Sequence, residues 1–416
     1  MHHDFVSERT HSMARPLVHW LRRSNPYLLE GIDPHGPIGA IGASISDAAV
    51  LDAPLAAARK SGFGVVVDTE PHRVQLAADH RLRCDAFRGA ELNWLQRRFD
   101  PDAERLSLES RSDLLARHRD AQAAGGATIF RWCGHHISEG YGLSPAREAE
   151  HELAGEFLAL ARASGATHPA PGSDQPRGAA VGLTIDPRGL RQRTSVAIAK
   201  AYAELDPDIF WIDVWNFDGA ATQYRAVRFL ARLLQRETNG RPVLICGFGS
   251  LGEAALRNQV AATCVGWGRG ELSFPPRPLP PPEPGKKRGA SFGIHDFHPA
   301  IRGAVPLGKA YERAARLLYK ARPCDCGNHA PDQRPQGQHE RLRHNAAWSE
   351  RLAAGAIADE PAATTAELAE IVGEARSLRT RLGFGKLKAA WGSATVDPSD
   401  GQRIEIPAAL WLPRAA

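Results

Sequence analysis

Long apolar runs are missing from this 416-residue chain. No segment approaches the roughly 18 apolar residues that a membrane-spanning helix needs. The N-terminal stretch MHHDFVSERTHSMARPLVHW has no apolar leader core, so secretion is not expected. A P-loop is missing as well, and the Gly-rich turn GFGS at 247–250 is interpreted as an ordinary strand-to-helix loop. These absences predict a cytoplasmic protein that does not act on a membrane.

Cysteine is scarce, with six residues at positions 84, 133, 246, 264, 324 and 326. The first four lie in apolar or strand-like surroundings, which predicts reduced thiols in a cytosol rather than a disulfide framework. The excess of positive over negative charge is small too, because the net charge is only +5. That excess permits a nucleic-acid partner without requiring one.

Short apolar runs alternate with helical patterns along most of the chain. The helical patterns, such as RTSVAIAKAYAEL, have apolar residues at three- and four-residue spacing. The apolar runs lie at 27–33, 62–70, 127–136, 179–186, 208–216, 241–250 and 262–270. Apolar strands that alternate with helices indicate a parallel sheet covered on its faces. Seven such strands and one that the pattern does not locate predict an α/β fold, a (β/α)8 barrel.

The pattern also predicts the division of the chain. We expect an N-terminal tail at 1–24, the barrel at 25–320, a zinc-binding subdomain at 321–350, and C-terminal helices and a tail at 351–416. A Pro-rich excursion at 274–290 interrupts the barrel, since proline at this density excludes helix and central strand. It carries Lys286, Lys287 and Arg288, which form either a solvated loop or a basic arm that touches phosphates.

A Cys/His cluster follows the barrel. Cys324 and Cys326 flank one residue, His329 comes three later, and His344 completes the pattern C-x-C-x2-H-x14-H, with His339 as a spare. Zinc requires about four such ligands, and a tight turn delivers local pairs. The alternative is a pair of free thiols in a polar loop. We predict a structural zinc site, because all four ligands would be protein groups.

The order of these features resembles the tRNA-guanine transglycosylase superfamily, a family of (β/α)8 barrels followed by a zinc subdomain. CDC at 324–326 and the dipeptide HN at 344–345 match the zinc motif of the family, although His329 stands where the family has a third cysteine. RPVLICGFGSLGEAALRNQVAATCVGWGR and VVVDTEPHRVQ are similar to the segments that carry its catalytic aspartates. The resemblance spans about residues 60–350 and suggests a divergent member, in the manner of the 7-deazaguanine DNA transglycosylases.

The departures from the family concern its chemistry. The nucleophilic aspartate of the family falls on Thr263, and the residues that hold its guanine fall on 183–185 and 212–214. Asp68 stands at the place of the other catalytic aspartate, and Arg269 at that of a strand-end arginine. Guanine exchange by the mechanism of the family therefore does not transfer directly.

Barrel enzymes carry their sites at the carboxyl ends of the strands. Asp68 follows three valines, and Asp213 interrupts an aromatic strand, where a lone charge would be costly. We predict these two as the catalytic carboxylates, with Asp186, His135 and Arg269 as substrate-binding residues. One carboxyl group would act as an acid while the other stays charged.

The resulting hypothesis is a transglycosylase-like enzyme that exchanges guanine or a 7-deazaguanine base in tRNA or DNA. Its partners would be the nucleic acid and the base, with a homodimer as one possible assembly. One alternative is a barrel glycoside hydrolase that uses the same two carboxylates. Another is a nucleic-acid-binding protein that has lost the chemistry, for which Thr263 is the best support.

Overall fold

The structure is a computed structural model in which residues 15–21, 29, 32–33, 36–48, 50–69, 108–134, 145–164, 178–214, 217–248, 251–257, 260–265, 295–358 and 361–394 are described. Eight parallel strands form a closed barrel in the order β1 to β8, with β1 paired to β8. The predicted (β/α)8 architecture is confirmed. The strands are β1 Leu17–Leu21, β2 Ile38–Ser44, β3 Gly64–Asp68, β4 Ile129–Trp132, β5 Gly178–Ile185, β6 Ile209–Val214, β7 Val243–Cys246 and β8 Ala262–Val265.

Helices cover the barrel and continue beyond it. Around the barrel they are α1 Ile45–Ala48, α2 Asp52–Lys60, α3 Leu108–Ala124, α4 Pro145–Ala163, α5 Gln192–Ala203, α6 Ala221–Glu237 and α7 Gly252–Arg257. After the barrel come α8 Lys309–Ala321, α9 Gly337–Ala358, α10 Pro361–Leu382 and α11 Ala390–Ala394. Among the described residues, no helix combines the length and the apolar character that crossing a membrane requires.

Side chains alternate between the barrel lumen and the helices, as strand geometry requires. One buried cluster fills the lumen and takes one or two residues from every strand, among them Val18, Val66, Ala180, Trp211 and Leu244. The intervening residues face outward and join the helices in a second, larger core. Because alternate residues point inward, Asp68 and Asp213 lie on the lumen side of their strands.

The N-terminal part of the predicted division is wrong. The first barrel strand lies at 17–21, inside the expected tail at 1–24, and the second lies at 38–44. The run at 27–33 is not a strand where it is described, since position 29 belongs to a 3-10 turn and 32–33 to coil. The apolar pattern missed both strands. The sequence of β2, IGAIGAS, consists largely of Gly, Ala and Ser, and β1 contains His19 and Trp20.

The glycines at 247, 249 and 252 follow β7 with GxGxxG spacing. Packing explains two of them. Gly247 has a φ of +93°, and a Cβ there would lie 2.5 Å from the carbonyl oxygen of Val214. A Cβ on Gly252 would lie 2.9 Å from the hydroxyl of Thr263. Gly247 and Gly252 thus allow the chain after β7 and the start of α7 to lie close to the sheet.

The C-terminal part has its own small core. The antiparallel hairpin of β9 Asp296–His298 and β10 Gly303–Val305 packs with α8 and the cysteines around Ile301 and Tyr319. Glu253 of α7 binds Arg302 in the hairpin turn, with Oε2 2.6 Å from Nη1, and both side chains are buried. This ion pair joins the barrel to the hairpin. The boundary expected at residue 350 lies inside the continuous helix α9.

Candidate functional site

A buried arginine joins the two predicted carboxylates inside the lumen. Arg131 on β4 extends Nη1 to within 3.4 Å of Oδ2 of Asp68 and donates Nη2 to Oδ2 of Asp213. The three residues are 1 to 3% exposed. Strands β3, β4 and β6 thus bring one guanidinium between two carboxylates that lie far apart in sequence.

Asp213 has a second partner beside Arg131. Its second oxygen, Oδ1, accepts a hydrogen bond from Nε1 of Trp211 at 3.1 Å. The guanidinium carbon of Arg131 stands 4.4 Å from the centre of the same indole ring, a cation–π distance. Trp211 therefore holds both members of the Arg131–Asp213 pair, whereas the contact from Arg131 to Asp68 is longer.

With both carboxyl groups ionised, the three side chains carry one more negative than positive charge, because one guanidinium faces two carboxylates. A positive neighbour favours the charged form of a carboxyl group. The contact with Arg131 therefore explains how the apolar strand β6 can contain Asp213. Nε of Arg131 has no hydrogen-bond partner in the described part of the chain. An excess negative charge in a buried site would stabilise a cation that formed beside it.

Arg131 is the site residue that the sequence analysis missed. The side chain of Gln122 on α3 makes two hydrogen bonds with the backbone of Arg131. Its Nε2 donates to the carbonyl oxygen at 2.6 Å, and its Oε1 accepts from the backbone N–H at 2.8 Å. Gln122 is fully buried. The available signal was an arginine at an inward position of the apolar run TIFRW, where an unpaired charge would be as costly as at Asp213.

Cys133, which follows β4, is not a ready nucleophile. Burial, with the negative Asp68 acting in the same direction, raises the pKa of Cys133 to about 12. Since the thiolate is the reactive form, this side chain stays a neutral thiol at ordinary pH. The carboxylates remain the candidate reactive groups of the lumen.

The predicted substrate-binding residues are only partly described. Asp186 follows β5 and is tied to its own turn, where its carboxylate binds Arg188 through Nη2 at 2.5 Å and through the backbone N–H at 3.0 Å. His135 and Arg269 lie outside the described residues, as do the basic residues at 286–288.

Thr263 faces away from the lumen. Its hydroxyl donates to the carbonyl oxygen of Ile245 at 3.0 Å and packs beneath the start of α7 at Gly252. The position where the resembled family has its nucleophile is thus part of the packing between barrel and helix.

A disulfide joins Cys246 of β7 to Cys264 of β8. The expectation of reduced thiols is wrong for this pair. Because Ile245 pairs with Thr263, the next two residues face each other, and both belong to the lumen cluster. Sequence alone does not give the register between strands 18 residues apart. Cys133, Cys324 and Cys326 are free, and Cys84 lies outside the described residues.

The four predicted zinc ligands come together beside the hairpin. One ligand atom from each of Cys324, Cys326, His329 and His344 lies within 4.8 Å of the others. Nδ1 of His344 is 3.4 Å and 3.3 Å from the two sulfurs and 2.9 Å from Nε2 of His329. A tetrahedron with arms of about 2.0–2.3 Å has edges of about 3.3–3.8 Å, so the cluster could hold a metal ion after small adjustments.

Hydrogen bonds orient both imidazoles toward the cluster. His344 donates Nε2–H to the carbonyl oxygen of Phe297 at 2.5 Å, which leaves Nδ1 as the electron-pair donor. His329 donates Nδ1–H to the carbonyl oxygen of Ala330 at 2.9 Å, which leaves Nε2. Such outer hydrogen bonds fix the tautomer of a metal-binding histidine. The spare, His339, is exposed on α9.

N–H groups surround the two sulfurs. Cys324 accepts from the backbone of Cys326 at 3.4 Å and from Nε1 of Trp348 at 3.3 Å, and Cys326 accepts from the backbone of Asn328 at 3.4 Å. A hydrogen bond with Cys326 lowers the pKa of Cys324, with His329 acting in the same direction. The same hydrogen bond, together with burial, raises the pKa of Cys326. Cys324 is therefore the one of the two that favours the thiolate, the form in which cysteine binds metals, and Cys326 would release its proton when a metal binds.

Asn345 explains why the histidine and its neighbour act as a pair. Its Oδ1 accepts from the backbone N–H of Phe297 at 2.7 Å, and its Nδ2 donates to the carbonyl oxygen of His295 at 3.0 Å. His344 binds the carbonyl of the same Phe297. The dipeptide thus fixes strand β9 against the cluster.

Comparison of the chain with protein-family models gave no match, and comparison with curated proteins gave none either.

Proposed function

We propose that this protein is a transglycosylase-like enzyme that exchanges guanine or a 7-deazaguanine base in tRNA or DNA. The observation that carries the proposal is the pair of carboxylates, Asp68 and Asp213, held by one arginine in the lumen of the barrel. The barrel followed by a Cys/His cluster supports it, because the resembled family combines these two features. The presence of the exchange reaction itself is the point to be tested.

The two carboxylates have different roles in this proposal. Asp68, with the longer contact to Arg131, is the carboxylate that meets the anomeric carbon of the nucleoside. The bond from that carbon to the base nitrogen breaks, its electron pair leaves with the base, and the carbon binds the Asp68 oxygen or is stabilised beside it. The departing base takes up a proton from solvent. The incoming base then attacks the same carbon, releases the Asp68 oxygen and gives its own N–H proton to solvent.

Asp213 and Arg131 set the charge of the site. Asp213 is fixed by Arg131 and Trp211 and remains an anion throughout. Together with Asp68 it gives the lumen the net negative charge that lowers the energy of a cationic sugar.

A nucleic-acid-binding protein without the reaction is the second candidate. The observation that favours it is the burial of the whole group, since Asp68, Arg131 and Asp213 are at most 3% exposed. In that case the ion pairs are a structural part of the lumen.

The metal assigned to the Cys/His cluster is zinc with a structural role. Two cysteine sulfurs and two imidazole nitrogens in this spacing are a donor set typical of structural zinc. All four positions belong to protein groups, so the ion would stabilise the hairpin and α9 and would leave no coordination position for a substrate.

Incorporation of labelled guanine into nucleic acid tests the function. The full-length protein is incubated with unmodified tRNA and, separately, with duplex DNA that contains guanine or a 7-deazaguanine. We expect label to enter one of the two. Salt-dependent binding without incorporation into either would favour the binding protein.

A further inference from the structure

Helix α8 has two different faces. Ala315, Leu318 and Tyr319 are buried in the small core beside the cysteines. The opposite face carries Lys309, Arg313, Arg316 and Lys320, all exposed, which we call the basic stripe. Their spacing of i, i+4, i+7 and i+11 keeps them within about 60° of one another around a helix of 3.6 residues per turn.

The charges of the basic stripe are not neutralised within the described part of the chain. None of its four cations has an acidic partner there, whereas other surface arginines, such as Arg111 and Arg117, do. Glu312 is the acidic residue of the helix, so the helix carries four positive charges and one negative, a net of +3. The whole chain carries +5.

The dimensions of the basic stripe fit a nucleic-acid backbone. At a rise of about 1.5 Å per residue, its cations are about 6, 4.5 and 6 Å apart and span about 16 Å. One strand of a duplex presents a phosphate about every 3.4 Å along its axis, so this length meets about five phosphates.

Side-chain contacts anchor helix α8, which carries the stripe, to the hairpin of β9 and β10. The hydroxyl of Tyr319 donates to the buried Asp296 at 2.8 Å, and its ring packs at 4.7 Å against His298. Arg334 binds the other oxygen of Asp296 through Nε at 2.8 Å. Because α8 is anchored to the hairpin in this way, its cations are held in one register, as repeated backbone contacts require.

A membrane surface fits this helix less well. A membrane-binding helix needs a continuous apolar face opposite its cations. The exposed large apolar residues of α8 are Leu317 and Tyr311, and they lie about 120° apart around the helix at 100° per residue. The apolar side of α8 is already buried in the core.

We propose that the basic stripe of α8 binds the phosphate backbone of a nucleic acid. This inference stands whether or not the barrel lumen carries out base exchange. It concerns positions 309–320, outside the basic arm expected at 286–288.

Salt-dependent binding of the full-length protein tests the proposal. A fluorescein-labelled DNA duplex and an unmodified tRNA are titrated at several KCl concentrations, with the natural protein and with the variant Lys309→Gln/Arg313→Gln/Arg316→Gln/Lys320→Gln. Each phosphate contact contributes about 0.9 to the slope of log K against log salt for duplex DNA. We expect the variant to lose up to about three and a half units of slope on the duplex and to bind both probes more weakly.

A second variant with the same change in charge is the control. Arg193→Gln/Lys200→Gln/Arg225→Gln/Arg236→Gln removes four exposed cations from α5 and α6 and should keep the natural slope. Equal losses in both variants would reduce the effect to net charge and overturn the proposal. An unchanged slope in the stripe variant would do the same, as would binding to phosphatidylserine vesicles with no binding to either nucleic acid. Circular dichroism verifies that both variants are folded.

Discussion

Arg131 determines the charge balance of the lumen. It contacts Asp68, Asp213 and Trp211, and Gln122 fixes its backbone. A buried ion pair contributes little net stability when it is intact, but the loss of one partner leaves an uncompensated charge. Here the loss of the arginine would leave two such charges next to each other.

Replacement of Arg131 should therefore be severe. Arg131→Met keeps the length of the side chain and should lower the free energy of unfolding by about 3–5 kcal/mol at neutral pH. Addition of Asp68→Asn and Asp213→Asn to that variant should restore most of the loss, because the unpaired charges are then gone. Urea denaturation measures both effects.

The surface pair Arg119–Asp120 supplies the control for this prediction. Arg119→Met should cost less than about 1 kcal/mol, as exposed pairs do. If the triple variant is no more stable than Arg131→Met, the charges are not the cause of the loss.

His19 on β1 makes stability depend on pH. Burial lowers the pKa of His19 to about 4 from the ordinary 6.5, and its Nε2 has no partner among the described residues. Between pH 6.5 and 4, His19 is therefore protonated in the unfolded chain and neutral in the folded protein. As the pH is lowered through that range, the free energy of unfolding should fall by up to about 3 kcal/mol. Unfolding of the natural protein and of His19→Leu at several pH values tests this, and identical slopes would contradict it.

At the scale of elements, the sequence predicted the strands that belong to the repeated strand–helix pattern. Six of the expected apolar runs match the strands β3 to β8, with β5 beginning one residue before its run, because buried parallel strands are continuous apolar segments that alternate with helices. β1 and β2 were not predicted, because β1 contains a histidine and a tryptophan and β2 consists largely of small residues. The pairing register, and with it the disulfide between Cys246 and Cys264, depends on contacts between distant segments that no local pattern encodes.

The two candidate sites differ in how local they are. The Cys/His cluster could be predicted as a set because three of its members lie within six residues and the fourth begins a recognisable dipeptide. Asp68 and Asp213 could be singled out one by one from their apolar surroundings. Arg131 carries the same local signal, but its pairing with both carboxylates could not be predicted, because the distances among β3, β4 and β6 arise only when the barrel closes.

The cluster and its flanking elements should bind one zinc ion per chain. Elemental analysis of the purified protein should find it, and Cys324→Ser/Cys326→Ser should abolish it because two of the four ligands are lost. His344→Ala should have the same effect and should also destabilise β9, since it removes the bond to Phe297.

Exposed His339 provides the matched control for the metal site. His339→Ala should retain the zinc in full. Zinc content that is unaffected by the cysteine changes, or lost only in His339→Ala, would show that the assigned ligands are wrong.

On the scale of the whole molecule, the ion pair between Glu253 of α7 and Arg302 joins the helical layer of the barrel to the C-terminal hairpin. The proposed chemistry lies in the lumen, and the small core that contains the cysteines of the cluster supports α8 and its basic stripe. Because the two proposals rest on different residues, changes on α8 and changes in the lumen test them separately.

The rate of guanine exchange in lumen variants tests the central claim most directly. Asp68→Asn and Asp213→Asn keep the shape of each side chain and remove its charge, whereas Asp120→Asn changes an exposed aspartate on α3 as a control. With the folded fraction of each variant measured by denaturation, we predict a loss of about a hundredfold or more per folded molecule for the two lumen variants. The control and Thr263→Ala should keep the natural rate. Full activity per folded molecule in Asp68→Asn, or a large gain on Thr263→Asp, would contradict the assignment of the lumen carboxylates.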